Sequence, residues 1–380
     1  MIETAIGLRN ALDDSPYDWL ALGSPEHIGY STGYRSVAGD LFRSHRMLAL
    51  VSVDRTVLVG SAADGAAAFD SGISAHDYVS FGTFFFESVD ATAPELGLAS
   101  QHDSFHEAVA HAVSEAGVAG RVGVDAGAAD LAEAFASHRI NVTDVVGWMY
   151  DLRSVKLPVE IEKLRISARL AEQGIIAALD VACVGVSETE LARVVAATMA
   201  SGGGSPRFTV VTSGPRSALS DARATERALR LGDLLRFDVG CTFDGYWSDV
   251  GRTAVVGEPT RRQASRYDAI LAGEQAQLAM IRPGVSAEQV FDVAVSAVEA
   301  AGLAPYRRHH CGHAIGTEVY ERPVISPGSS TALEPGMVFC VETPYYEIGW
   351  GGMMIEDSLV VTDTGVEMLT TSDRSLRVIE

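Results

Sequence analysis

The sequence predicts an α+β chain in two parts. A smaller α/β domain covers residues 1–153, and a larger domain over 154–380 is built from two similar halves. Three observations carry this. Strand-like and helix-like segments alternate through the first part, a proline-initiated helix opens the second, and a helix-plus-hairpin pattern then occurs twice.

In the first part, "HRMLALVSVDRTVLVG" alternates around a Val53-Asp54-Arg55 turn and predicts a strand pair. "HEAVAHAVSEAG" predicts an amphipathic helix ending at Gly117, and "RVGVDAG" a further strand. The break falls in "DLRSVKLPVEIEKLR", near Ser154. Pro158 suits a first helical turn, Glu160 and Glu162 favour a helix N-terminus electrostatically, and Ile161, Leu164, Ala168, Ala171, Ile175 and Leu179 recur at helical spacing.

The larger part repeats itself. "GVSETELARVVAATMASGG" from Gly185 resembles "GVSAEQVFDVAVSAVEAAG" from Gly284. In each, a serine (Ser187, Ser286) stands three residues before Glu190 or Gln289, so side chains satisfy orphan amides of the first turn. "LGDLLRFD" and "EPGMVFCVE" then match, with six positions from Gly232 to Asp238 and six from Gly336 to Glu342. Each half adds a later acid, Asp249 or Glu356. The duplication thus puts four acids at corresponding positions.

The stretch "RFDVGCTFDGYWSDVGRT" shows how two of them converge. Asp244-Gly245 is a two-residue hairpin turn. Phe243 then faces Tyr246, and Gly240 faces Asp249. Asp238 is a diagonal neighbour of Asp249 on one sheet face, with Cβ atoms within about 7–8 Å. Phe237 and Val239 point to the other face and belong to a core. Carboxylates gathered on one face repel; a cation removes that cost, or one acid must stay protonated. "RRHHCGHAIGTEVYERP" offers His309, His310 and His313 to complete such a site. An oxygen-rich set with one histidine suits Mn, Co(II), Fe(II) or Zn in a two-metal centre.

Bulk properties bound the rest. Lys plus Arg number 29 against 50 Asp plus Glu, a net charge of −21 that disfavours nucleic acid and anionic membrane as partners. Cys183, Cys241, Cys311 and Cys340 form no CxxC and read as reduced thiols of a cytosolic protein. The N-terminal stretch lacks a basic region followed by an apolar one, and no uncharged apolar run approaches membrane-spanning length, so the expected location is cytoplasmic.

"FDVGCTFDGYWSDVGRT", "GHAIGTEVYERP" and "MMIEDSLVVT", in that order, resemble the metallopeptidases of the methionine aminopeptidase, prolidase and aminopeptidase P family. "DWLALGSPEHIGYSTGY" and "LRSVKLPVEIEKLR" resemble its two-domain creatinase, prolidase and aminopeptidase P branch. The resemblance spans nearly the whole chain. It implies a pita-bread catalytic domain with internal pseudo-two-fold symmetry, preceded by a creatinase-type N-terminal domain. It implies two divalent transition metals, Mn or Co before Zn or Fe. Asp238 would hold one metal, Asp249 and Glu356 would bridge both, and His313 and Glu342 would bind the other. A metal-bridging hydroxide would attack a peptide or amide carbonyl while Glu342 handles the proton. His309 matches a histidine of the aminopeptidase P members. The resemblance also implies a homodimer.

Three positions depart from the proline-specific pattern. Ser220-Asp221 stands where Pro-His is expected, and Tyr320-Glu321 where His-Glu is expected. Met354 replaces an arginine that would orient a ligating acid. Asp221 brings an acceptor where an imidazole is expected, and Tyr320 keeps a donor. The expected reaction is hydrolysis of a small peptide before proline. The departures favour, as the alternative, C–N hydrolysis or a lyase step on a small metabolite, as in creatinase, ectoine hydrolase or dimethylsulfoniopropionate lyase. A non-catalytic binding module is the third reading, disfavoured by the complete ligand set.

Overall fold

The computed structural model describes residues 2–86 and 102–380. The chain divides into two compact units, Met1–Leu152 and Arg153–Glu380.

In the first unit, strands β1 (Trp19–Leu22), β2 (Leu48–Val51), β3 (Thr56–Ser61), β4 (Tyr78–Phe81), β5 (Arg121–Val124) and β6 (Asn141–Asp144) form one sheet in the order β4-β3-β2-β1-β5-β6. The β2–β3 hairpin is antiparallel, pairing Val51 with Thr56, as the alternation around residues 53–55 predicts. Its strands are apolar on both faces because both faces are covered. Ala21, Leu48, Leu50, Val57 and Val59 pack with the helix Phe105–Glu115, while Leu20, Leu22, Ala49 and Leu58 pack with Leu8, Leu12 and Ile28 from the opposite layer.

The second unit opens with the helix Pro158–Val181, whose Leu164, Ala168, Ala171 and Ile175 are buried. Its strands are β7 (Ser205–Ser213), β8 (Leu234–Phe243), β9 (Tyr246–Trp247), β10 (Val250–Val256), β11 (Gly312–Ala314), β12 (Glu321–Val324), β13 (Val338–Glu342), β14 (Tyr345–Glu347), β15 (Gly351–Met353), β16 (Glu356–Val361), β17 (Val366–Met368) and β18 (Arg377–Ile379). The main sheet runs β12-β11-β13-β16-β10-β8-β7, with β9, β17 and β18 added to its strands.

The duplication read in the sequence is real in space. Helices Glu188–Ser201 and Ala287–Ala300 each start in a full capping box, Ser187 with Glu190 and Ser286 with Gln289. Gly185 donates to the Leu229 carbonyl and Gly284 to the Leu333 carbonyl, and the return bonds run from Leu229 to Val186 and from Leu333 to Val285. Gly232 and Gly336 both turn at positive φ, +87° and +89°, which a side chain would strain. The repeat extends further than its sequence signal, because each capped helix is preceded by a long one, Pro158–Val181 or Arg261–Met280. The halves meet where β10 pairs with β16, Gly251 facing Glu356.

Candidate metal centre

The β8–β10 hairpin holds the register that Asp244-Gly245 dictates. Asp244 (φ 47°) and Gly245 (φ 78°) both take positive φ, and the ladder pairs Phe243 with Tyr246, Thr242 with Trp247, Val239 with Val250 and Asp238 with Gly251. Phe237 and Val239 are buried in the core behind the sheet. Since Gly251 also faces Glu356, and Glu356 faces Glu342 across β16–β13, one row crosses four strands: Asp238, Gly251, Glu356, Glu342. Register partners point to one side, so three acids and one glycine share a face. Asp249 lies two residues before Gly251, on that same side.

His313 arrives from β11, paired with Cys340 of β13. One ligand atom each from Asp249, His313 and Glu356 lies within 4.8 Å of the others, and all three residues are buried. The backbone of Asp249 is pinned, its carbonyl accepting from Ser358 Oγ (3.3 Å) and Cys340 Sγ (3.5 Å).

The electrostatics favour a cation. Burial, then neighbouring acids, push the Asp249 and Glu356 carboxyls well above the ordinary range. Burial also raises Asp238, to about 6, although Arg236 pulls the other way. For Glu342 burial acts upward too, but the hydrogen bond from His310 and the charge of Arg308 outweigh it and hold its carboxyl low. Burial lowers His313 to about 4, so its imidazole is neutral near pH 7. His313 Nδ1 sits 3.1 Å from the Ala314 carbonyl, which assigns the proton to Nδ1. That leaves Nε2 a bare acceptor. It is buried without a partner, as is Asp249 Oδ1. An orphaned imidazole nitrogen 3.7 Å from an aspartate oxygen, among unneutralised acids, fits a divalent ion.

A cavity of about 690 Å³ opens onto these residues. Asp221, Tyr320 and Met354, the three departures, all line it. Tyr320 stacks on the His313 ring with centroids 3.6 Å apart. His309 stands one step out. It is exposed and meets His310 edge-on at 4.1 Å, and it is His310 Nδ1 that contacts Glu342 Oε1, at 2.9 Å. Arg252 pairs with Asp357 (2.7 Å) and donates to the Glu356 carbonyl (2.7 Å), a structural brace behind the site.

Two contributors escaped sequence reasoning. His310 is one of three histidines within five residues of a segment without periodicity, which does not single it out. Arg236 carried a signal that went unused: a lone charge in the apolar run "LLRFDVG", two residues before Asp238 and therefore on its face. The absence of arginine at 354 therefore does not leave the acids without a cation, because Arg236 Nη1 reaches Asp238 Oδ2 at 3.0 Å.

Similarity to known proteins agrees with this geometry. Residues 162–363 match metallopeptidase family M24. A Xaa-Pro dipeptidase of Pyrococcus furiosus is 34% identical over 228 residues, 60% of this chain and 66% of that protein. A probable dipeptidase, PepE, of Mycobacterium tuberculosis is 36% identical over 251 residues, 66% of each chain. The matched regions thus span about two thirds of these relatives' length. Among solved structures, the Xaa-Pro dipeptidase of Bacillus anthracis superposes with a TM-score of 0.80 at 26% identity, covering 99% of both chains. The fold is therefore the pita-bread fold of prolidases and aminopeptidases P, and the chain belongs to metallopeptidase family M24.

Proposed function

We propose that this protein is a two-metal peptidase that cleaves small peptides at the bond before proline. The observation that carries the reading is the convergence of Asp249, His313 and Glu356 within 4.8 Å, with Asp238 and Glu342 on the same strand row, in a chain of this family. The substrate class follows the names of its relatives, which are Xaa-Pro dipeptidases. The catalytic machinery lies in residues 154–380, with 1–153 as the accessory N-terminal domain.

Asp238, Asp249, His313, Glu342 and Glu356 would hold the cations, with His313 and Glu342 on the side of the site away from Asp238. Manganese or cobalt suits the five donors, four of them carboxylates. Divalent cations held there would supply Lewis acidity, lowering the pKa of water and offsetting charge developing on the substrate carbonyl. The chain's own residues do the rest. Glu342, hydrogen-bonded to His310, is placed to take a proton and pass it on. Tyr320 Oη offers the substrate a donor at the cavity wall, and Asp221 an acceptor. His309 supports His310 from outside. The protein works as a cytoplasmic homodimer. Among the described residues, no helix is long and apolar enough to cross a membrane.

The test is direct. Protein loaded with Mn²⁺ or Co²⁺ is incubated with Xaa-Pro dipeptides and with longer X-Pro peptides, and released amino acids are quantified. Release of the N-terminal residue, abolished by chelation, is expected. Metal-loaded protein inert on the whole panel overturns the substrate assignment.

A further inference from the structure

Arg236 is a fully buried cation beside the centre. It has no exposed surface, and its guanidinium is fully engaged. Nε donates to the Ser217 carbonyl (3.0 Å), Nη1 to Asp238 Oδ2 (3.0 Å), and Nη2 to the carbonyls of Leu219 (2.8 Å) and Ser220 (2.6 Å). Met354 Sδ lies 3.5 Å from Nη1, and the guanidinium carbon stands 5.3 Å from the centre of the Tyr346 ring.

We propose that Arg236 is a positioning residue with two simultaneous tasks: it orients the metal-binding carboxylate of Asp238, and it clasps the 217–220 segment that presents Asp221 to the cavity. The proposal rests on Asp238 being a metal ligand. A buried guanidinium persists only when its donors are satisfied, because an unpaired one costs several kcal/mol. Its planar fork fixes the directions of all its partners together, which a lysine ammonium does not do. Asp238 is its ionised partner, and the other acceptors are neutral carbonyls. One edge of the fork therefore acts on the metal site and the other on the loop. With Oδ2 accepting from Nη1, rotation of the Asp238 carboxylate is restrained at the end of the row that runs through Gly251 and Glu356 to Glu342. The three loop carbonyls lie within four residues of chain. Asp221 follows them directly, so its entry into the cavity depends on the clasp.

Met354 completes the arrangement. Its sulfur occupies the space beside Nη1, so a longer cationic side chain at 354 would reach the same aspartate from the link between β15 and β16. The cation thus comes from β8, and the two sites are interchangeable for Asp238 but not for the loop, because Nε and Nη2 bind the loop only from β8.

The experiment uses the full chain and three variants: Arg236→Lys, Arg236→Met and the double variant Arg236→Met/Met354→Arg. Mn²⁺ affinity is measured by titration calorimetry, the Co²⁺ environment by visible absorption, and KM and kcat with an Xaa-Pro dipeptide. Arg236→Met should weaken Mn²⁺ binding roughly 10–100-fold and alter the Co²⁺ spectrum. Adding Met354→Arg should recover most of the metal affinity and the spectrum while KM stays raised. Arg236→Lys, the milder change should the Met variant fail to fold, should keep metal affinity within a few-fold and raise KM. Wild-type Mn²⁺ affinity and Co²⁺ spectrum in Arg236→Met overturn the role of Arg236 alone. Wild-type protein that binds neither metal overturns the metal reading beneath it, and this proposal with it.

Discussion

Glu342 and Glu356 face one another directly across the β13–β16 ladder. Like charges directly opposed destabilise a sheet, and both residues are buried. Without a cation the pair keeps a proton, as the raised Glu356 carboxyl shows, and a cation between them replaces that proton at neutral pH. Glu356→Ala and Asp249→Ala each remove a carboxylate from the proposed metal site. Metal analysis of purified, reconstituted protein should fall from about two equivalents per chain to one or fewer. Activity should drop by more than the roughly 10–100-fold that loss of an outer partner costs. Loading the wild type with metal should raise its thermal midpoint, since a ligand at 100 times its Kd stabilises by about 2.7 kcal/mol. That rise should vanish in both variants, and its persistence would count against the site.

Asp244 provides the contrast within the same hairpin. It sits at the turn with φ 47°, exposed, and pairs with Lys163 at 2.5 Å. Asn tolerates that backbone well, whereas Ala does not. Asp244→Asn should leave metal content and activity at wild-type values and cost no more than the ~1 kcal/mol of a surface ion pair. Asp244→Ala should cost about 1–2 kcal/mol in urea unfolding through the left-handed turn, again with metal retained. Metal loss in the Asn variant would contradict the separation of the three aspartates.

That separation was legible in the sequence because it rests on local rules. A two-residue Asp-Gly turn sets the register, and period two then assigns Asp238 and Asp249 to one face and Phe237 and Val239 to the other. The duplication was legible for a similar reason: Ser187 and Ser286 announce their helices by capping, and Gly232 and Gly336 recur at a fixed distance before an acid. What stayed hidden depends on distant chain. The partners of Arg236 are carbonyls at Ser217, Leu219 and Ser220 and the sulfur of Met354, which no spacing rule connects to it. The choice between His309 and His310 was likewise hidden, since the segment before β11 has no regular period. Met354 read as a lost cation because the compensating one comes from another strand.

Gly251 is the row's empty place. A Cβ built there meets Met354 Cγ and Cε at 2.7 Å and Sδ at 2.8 Å. Gly251→Ala should therefore push Met354 toward Arg236, which it already touches. The expected result is a loss of roughly 1–3 kcal/mol in urea unfolding, the usual range for overpacking, together with weaker Mn²⁺ binding. Shortening the neighbour in Gly251→Ala/Met354→Ala should return metal affinity toward wild type. Equal losses in the single and double variants would place the strain elsewhere.

Glu321 anchors the segment that carries Tyr320 over His313. Its carboxylate is buried, accepts from the Thr317 and Glu318 amides (3.0 and 3.3 Å), and pairs with Arg153 and with Lys156 at 2.9 Å. Burial alone would raise its pKa, but the two cations outweigh it and bring it from 4.5 down to about 2. A depressed carboxyl pKa means that the unfolded chain binds the proton first as pH falls. The stabilisation is therefore complete above about pH 4.5 and is lost as pH drops toward 2, amounting to about 3 kcal/mol. Glu321→Gln removes the charge but keeps an acceptor, leaving Lys156 buried without its acid and Arg153 with Glu318 as its acid. At pH 7 it should unfold at lower urea by the equivalent of about 3–5 kcal/mol. Between pH 4.5 and 3 the wild type should lose stability faster than the variant, narrowing the gap between their urea midpoints. A gap that stays constant from pH 7 to pH 3 would mean that the Glu321 charge does not hold this segment, and that Tyr320 is positioned by its contact with His313 instead.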